Sequence, residues 1–373
     1  MKRLLLVTND FPPRQGGIQT FLYEVIRRLP PDQVAVYSSD YPGAVDFDAQ
    51  LAFPVRRHPT GLLVPSPAAR HRVLQARQDY QASSVWFGAA APLGLLAAPL
   101  RAAGAERLVA TTHGHEAGWA MLPGARQALR RIADGVDVIT YLGDYFRHRL
   151  AAVIGDRAEL VQLTPGVDID AFGPQVCGSA VRQRHGLTGC PVVVCVSRLV
   201  PRKGQDSLIR ALPVIRERVP EARLLIVGGG RYQRDLRKLA ANRGVLDQVV
   251  FTGSVPLEQL PEHFAAGDVF AMPCRTRRFG MDVEGLGMVF LEASATGLPV
   301  IAGDSGGAPD AVRRGITGEV VDGTDIAALA DQLVRLLSDP GKAAAMGSAG
   351  RQWVTENWQW DTIAGRLAEL VRL

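Results

Sequence analysis

Short runs of consecutive apolar residues alternate along this chain with longer stretches whose apolar positions recur at helical spacing. Arg3 to Thr8 reads as a strand, Ile18 to Leu29 as a helix and Gln33 to Tyr37 as the next strand, a β-α-β order. Ser84 to Phe87, Leu108 to Thr112, Asp137 to Thr140 and Leu160 to Leu163 continue the series, each followed by a turn or a helical pattern. These runs are continuously apolar, as expected of parallel strands covered on both faces.

Around Pro165 to Pro174 the periodicity stops in a cluster of Pro, Gly and Asp, the composition of a joint between domains. A second series then begins, with strands expected at Pro191 to Ser197, Ala222 to Val227, Gln248 to Gly253, Asp268 to Met272, Leu298 to Ala302 and Thr317 to Val321. The pattern predicts an α/β chain of two doubly wound parallel-sheet domains facing a cleft, over 1–169 and 170–356. The helical stretch 357–373 is expected to pack back on the first. Trp353, Trp358 and Trp360 crowd this last region, and docking on the nearer domain is the alternative. Doubly wound sheets bind ligands outside the carboxyl ends of their strands.

Composition narrows the classes. The chain has 373 residues, 47% hydrophobic and 21% charged, which is ordinary for a globular protein throughout. No apolar run approaches the ~20 residues of a membrane span. Lys2 and Arg3 precede an apolar stretch, but Asn9, Asp10 and Pro12 end it too early for a signal peptide. Cys177, Cys190, Cys195 and Cys274 lack the spacing of a zinc site or a disulfide framework, so small core residues in a reducing cytoplasm are expected. A net charge of +5 suits an anionic partner: phospholipid headgroups, a phosphorylated substrate or nucleic acid. Nucleic acid is disfavoured, because no helix-turn-helix, zinc-finger or aromatic RNA-binding signature is present.

Four segments at expected strand ends could carry chemistry. Asn9 to Gln19 holds the paired Gly16 and Gly17 at the start of a helix, where backbone N–H groups can approach a phosphate. It is not the G-x-G-x-x-G dinucleotide fingerprint, which argues against a dehydrogenase. Ser197 to Gly204 places Arg198 and Lys203 on one loop, within common reach of a pyrophosphate. Asp282 to Glu292 combines two carboxylates, Glu284 and Glu292, with Gly285 and Gly287 at a helix start, suited to sugar and ribose hydroxyls. Thr111 to Glu116 offers His113, with His115 and Glu116 beside it; the H-x-H pair lacks a third ligand, so no metal is expected. Gly228 to Gly230 is a further strand-end loop, equally readable as a plain turn.

Together these segments resemble the retaining glycosyltransferases of family 4, which have the GT-B fold of two Rossmann-like domains, and the resemblance spans essentially the whole chain. Asn9 to Gln19, Thr112 to Glu116 with Trp119 to Pro123, Ser197 to Gln205, Asp282 to Glu292 and Gly303 to Asp310 look like actinobacterial phosphatidylinositol mannoside mannosyltransferases, which use GDP-mannose. The resemblance implies that Arg198 and Lys203 hold the donor diphosphate, Glu292 the ribose, and Glu284 with the backbone of Gly285, Leu286, Gly287, Met288 and Val289 the donor sugar. It puts Gly17, next to Gly16, on the phosphate from the other domain, His113 beside the sugar, and Asp10 and Gln19 on the donor and acceptor side of the cleft; the residues themselves offer His115 to a nearby acceptor. Ser254 and Val255 become candidates for guanine contact. Metal-free retention through an oxocarbenium-like state, with the leaving phosphate helping to deprotonate the acceptor, is the expected route.

A lipid acceptor and an anionic membrane surface are the expected partners, with the protein peripheral at the inner face of the plasma membrane. The motivation is Arg56, Arg57, His58, Leu62, Leu63, Val64, Arg70, His71 and Arg72, together with Arg126, Arg130, Arg131, Arg147 and Arg149. Competing readings are a transferase using a UDP-sugar and a soluble acceptor, a sugar-nucleotide epimerase of the same fold, and a non-catalytic nucleotide-sugar sensor.

Overall fold

A computed structural model describes residues 2–114 and 116–373, with the side chain of Ala117 also outside the description. His115 therefore lies outside the described residues. The chain divides into two compact units: the segment up to Gly166 together with Trp360–Leu373, and Val167–Gln359.

The first unit is built on β1 (Leu4–Thr8), β2 (Val34–Ser39), β3 (Val55–His58), β4 (Ser84–Phe87), β5 (Arg107–Thr111), β6 (Val138–Tyr141) and β7 (Glu159–Gln162). They form one parallel sheet in the order β3-β2-β1-β4-β5-β6-β7. β1 is buried along its whole length, and Leu4, Leu5, Leu6 and Val7 send side chains to both faces, which is why its sequence reads as an unbroken apolar run. Helix Trp360–Val371 covers one face, burying Ile363, Leu367 and Val371 with Leu4, Leu6 and Val36. Its last carbonyls are met by Ser84 Oγ on Val371 O (2.7 Å) and Arg107 Nε on Leu370 O (2.8 Å). Of the clustered tryptophans, Trp360 packs here near Phe21, whereas Trp353 and Trp358 pack edge to face on one another in the second unit.

The second unit carries β8 (Val192–Val196), β9 (Arg223–Val227), β10 (Val249–Gly253), β11 (Val269–Met272), β12 (Val300–Gly303) and β13 (Gly318–Val321), parallel in the order β10-β9-β8-β11-β12-β13. In each sheet the order reverses at one place, between β1 and β4 and between β8 and β11, and loops leaving those strands in opposite directions open a crevice there.

β3 is absent from the sequence reading. It is an edge strand paired only with β2, and its sequence Val55-Arg56-Arg57-His58 has no apolar run to announce it. The strand takes Arg57 and His58 out of the candidate lipid-facing set, since Arg57 is committed to partners within the protein and His58 is buried. Arg57 grips Asp48 with two nitrogens (2.9 and 2.7 Å), donates to Pro12 O (2.6 Å) and lies over the Phe11 ring. Arg56 pairs with Asp79 at 2.7 Å, and His58 Nδ1 is 2.8 Å from Tyr37 Oη. Leu63 is fully buried, so it too leaves the lipid-facing set.

Candidate active site

In the second unit the loops leaving β8 and β11 meet at the place where strand order reverses. Arg198 and Lys203 ride on the first loop, and Glu284 ends the second. Lys203 Nζ lies 2.8 Å from Glu284 Oε2, with both side chains largely buried. Arg202 joins them: its Nε is 3.7 Å from the same Glu284 oxygen, and its Nη1 is 3.2 Å from Asp282 Oδ1. Arg198 is exposed, and its guanidinium meets no partner among the described residues.

Neighbouring groups fix this arrangement. Gly204 carries φ 77° and stands so close to Pro273 O that a Cβ would overlap it, which brings the lysine loop against the β11 loop. Arg275 Nη2 contacts both carboxylate oxygens of Asp206 at 2.9 Å, while its backbone N–H donates to Arg202 O at 2.8 Å. Ser305 Oγ accepts from the Glu284 N–H at 3.3 Å, and Gly307 N–H donates to Glu284 O at 3.1 Å. A side chain at Gly306 would overlap Glu284 O, so the loop after β12 cradles the backbone of Glu284.

Gly287, at φ 81°, starts helix Met288–Thr296, whose first N–H groups lack carbonyl partners within the helix. Leu286 is buried, so only its backbone can face a ligand. Glu292 sits one turn into the helix, half-buried, and no hydrogen bond or ion pair engages its carboxylate among the described residues. Burial pushes that carboxyl up to about 7, with no cation to offset the desolvation. Cys274, beside this cluster, is pushed up to about 12, first by burial and then by the Glu284 charge.

Arg198 also borders a cavity of about 240 Å³ with Ser197, Gly228, Gly229, Ser254 and Val255, at the ends of β8, β9 and β10. Three segments distant in sequence thus share one pocket. A larger cavity of about 490 Å³, lined by Arg182, Cys190, Gly267, Pro299 and Pro340, opens at the opposite edge, where β8, β11 and β12 begin. Its one cation, Arg182, is already paired with Asp268 at 2.7 Å, so the smaller pocket is the better place for an anionic ligand.

In the first unit the loop after β1 is tied at several points. Asn9 exchanges hydrogen bonds with the backbone of Leu63 (2.8 and 2.6 Å), and Gln19 Nε2 donates to Asp10 Oδ1 at 2.7 Å. Gly16 precedes helix Gly17–Ile26. His113, beyond β5, donates from Nε2 to Gly88 O at 2.6 Å and packs edge-on against Phe21, while Glu116 Oε2 accepts from its backbone N–H at 2.9 Å. That bond leaves Nδ1 of a neutral ring as the acceptor.

Arg202 and Asp282 lay inside segments the sequence had singled out, but neither stood out as a partner of the lysine and glutamate. Among the described residues no group of three or more His, Cys, Asp or Glu is placed to hold a metal ion, and no helix is long and apolar enough to cross a membrane.

Known proteins share this chain's sequence family and its fold. The model of Glycosyltransferase Family 4 matches residues 15–171, and that of glycosyl transferases group 1 matches residues 180–353. A GDP-mannose-dependent alpha-(1-6)-phosphatidylinositol monomannoside mannosyltransferase of Mycolicibacterium smegmatis is 54% identical over 99% of this chain and 98% of its own. The GDP-mannose-dependent monoacylated alpha-(1-6)-phosphatidylinositol monomannoside mannosyltransferase of Corynebacterium glutamicum is 46% identical over 100% and 98%. Among solved structures, Anabaena Alr3699/HepE in complex with UDP superposes with a TM-score of 0.81 over the whole of both chains at 21% identity, a likeness of fold. The chain belongs to the GT-B glycosyltransferases of family 4, in the branch formed by the phosphatidylinositol monomannoside mannosyltransferases.

Proposed function

We propose that this protein is a retaining α-mannosyltransferase that moves mannose from GDP-mannose to a phosphatidylinositol mannoside acceptor. The observation that carries the reading is 54% identity along the full length to an enzyme of that description. The chemistry of the second unit suits the donor.

In this reading the diphosphate lies against Arg198 and Lys203, whose charge-assisted hydrogen bonds are worth about 1.5–3 kcal/mol each as negative charge builds on the leaving group. The first N–H groups of helix Met288–Thr296 and the backbone of Gly285 to Val289 face the mannosyl phosphate, and Glu284 accepts from mannose hydroxyls. Glu292 accepts from the ribose diol, which returns hydrogen bonds to a carboxylate that burial has left without any. Guanine enters the pocket of Ser254 and Val255. In the first unit Gly16 and Gly17 serve the donor phosphate, His113 the transferred mannose, and Asp10 with Gln19 the acceptor.

The reaction breaks the bond from the mannose anomeric carbon to the phosphate oxygen and forms one from that carbon to an acceptor hydroxyl on the same face. The acceptor proton passes to the departing phosphate. Arg198 and Lys203 hold the leaving group beside the face it has just vacated, so the acceptor enters there and the configuration is kept.

The same reading makes the protein a peripheral enzyme of the cytoplasmic membrane face. Leu62, Val64, Met121 and Leu122 are exposed in the first unit, with exposed Arg70, His71, Arg72, Arg130, Arg131 and Arg147 nearby in sequence, a composition suited to an anionic interface.

The test is to incubate the protein with GDP-mannose or with UDP-sugars, with and without phosphatidylinositol mannosides, and to measure free nucleotide and mannolipid. Acceptor-dependent GDP release matched by a new mannolipid is expected. GDP release without an acceptor product would indicate an epimerase or a hydrolase, and intact donor would indicate a sensor.

A further inference from the structure

Lys203 is committed twice in the proposed reaction. Its ammonium neutralises Glu284 at 2.8 Å, and it is also the cation that must meet the donor diphosphate. Glu284 is only 5% exposed, and a buried carboxylate that loses its counter-charge is costly. The groups facing it are few. Lys203 and Arg202 approach from the β8 loop, the Cys274 thiol from the end of β11, and the Ser305 hydroxyl meets its backbone N–H.

Among the described residues Arg202 is the other cation paired with Glu284, and it can remain. Its Nε, buried and without a hydrogen bond, points to Glu284 Oε2 at 3.7 Å, while its Nη1 is held by Asp282 at 3.2 Å. Asp282 is itself fixed, because its backbone exchanges hydrogen bonds with Arg277 (2.9 and 3.2 Å) and its other carboxylate oxygen lies 3.9 Å from Arg277 Nη1. Charges therefore alternate along Arg277, Asp282, Arg202, Glu284 and Lys203, with the Lys203 ammonium at one end of the row.

We propose that Arg202, anchored by Asp282, is the standing counter-ion of Glu284: it keeps that carboxylate paired and aimed at the donor sugar while Lys203 turns to the diphosphate. Arg202 is a positioning residue that acts through Glu284 and does not itself touch the phosphates. The inference rests on the donor reading above, which wild-type turnover of GDP-mannose tests separately.

The experiment is calorimetric titration of the full chain and its variants with GDP and with GDP-mannose, alongside steady-state kinetics. GDP lacks the sugar that Glu284 would hold, so Arg202→Gln should bind GDP within about twofold of wild type. The same variant should bind GDP-mannose about tenfold or more weaker, with a lower kcat. Arg202→Lys, which retains a charge, should recover part of the loss. Asp282→Asn should shift the two ligands in the same pattern but less, and the double variant should be no worse than Arg202→Gln alone, because Asp282 acts through Arg202. Equal weakening of GDP and GDP-mannose would overturn the proposal in favour of direct phosphate binding or a collapsed loop. Unchanged affinity for both, or additive losses in the double variant, would overturn it as well.

Discussion

The ammonium of Lys203 and the carboxylate of Glu284 stand 2.8 Å apart, although one follows β8 and the other follows β11. The two strands are neighbours in the sheet, and the pair sits where the strand order turns back on itself. In the proposed reaction the cation meets the diphosphate and the anion a sugar hydroxyl, side by side.

Lys203→Ala should lower turnover about a hundredfold or more, the size of effect expected when a charge on a leaving diphosphate is lost. The fold should survive, because Arg202 still faces Glu284. Steady-state rates with a thermal melt check both points, and full activity would remove Lys203 from the site.

Glu292 gives a pH dependence with a definite sign. Its carboxyl, raised from 4.5 to about 7 by burial, is mostly protonated at pH 6 and ionised at pH 8. Donor KM should therefore fall as pH rises through 7, and Glu292→Gln should bind donor weakly with that dependence flattened. Stability should run the other way. The folded protein holds this proton more tightly than the unfolded chain, so stability declines between pH 4.5 and 7, and at pH 8 Glu292→Gln should gain up to ~3 kcal/mol. A variant no more stable at pH 8 than wild type would show that the carboxylate is not desolvated.

Gly17 has no local reason to be glycine. A Cβ there meets nothing within 4 Å, and its backbone lies outside the left-handed region. Gly17→Ala should melt at the same temperature or slightly higher, since alanine favours helix by about 1 kcal/mol. Turnover should nevertheless fall at least about tenfold if a phosphate approaches that backbone. Unchanged turnover would release this loop from donor binding.

For membrane contact, Leu62→Ser combined with Leu122→Ser should reduce sedimentation with vesicles containing phosphatidylinositol, while leaving turnover of a detergent-dispersed acceptor unchanged. Both side chains are 61% exposed, so the fold should not respond. Equal vesicle binding by the variant and wild type would place the membrane surface elsewhere.

The sequence made the buried centre of each sheet legible, because β1, β8 and β9 are apolar on both faces and bounded by turns. The segments bearing Arg198, Lys203, Glu284 and Glu292 were legible for a related reason: each sits where an apolar run stops at glycine or charge. β3 was hidden because an edge strand with one neighbour tolerates Arg56 and Arg57, whose partners Asp79 and Asp48 are set by the fold. The pairing of Arg202 with Asp282 was hidden for the same reason, since residues so far apart meet only once β8 and β11 lie side by side. Sequence spacing likewise gives no hint of the raised carboxyl of Glu292, because its cause is burial without a partner.

The most direct test of the account is a structure of the protein with GDP-mannose bound. The diphosphate should lie within about 3.2 Å of Arg198 and Lys203, with the ribose on Glu292 and the base beside Ser254 and Val255. A nucleotide found instead in the larger cavity of Arg182, Cys190 and Pro340, at the far edge of the same sheet, would contradict it.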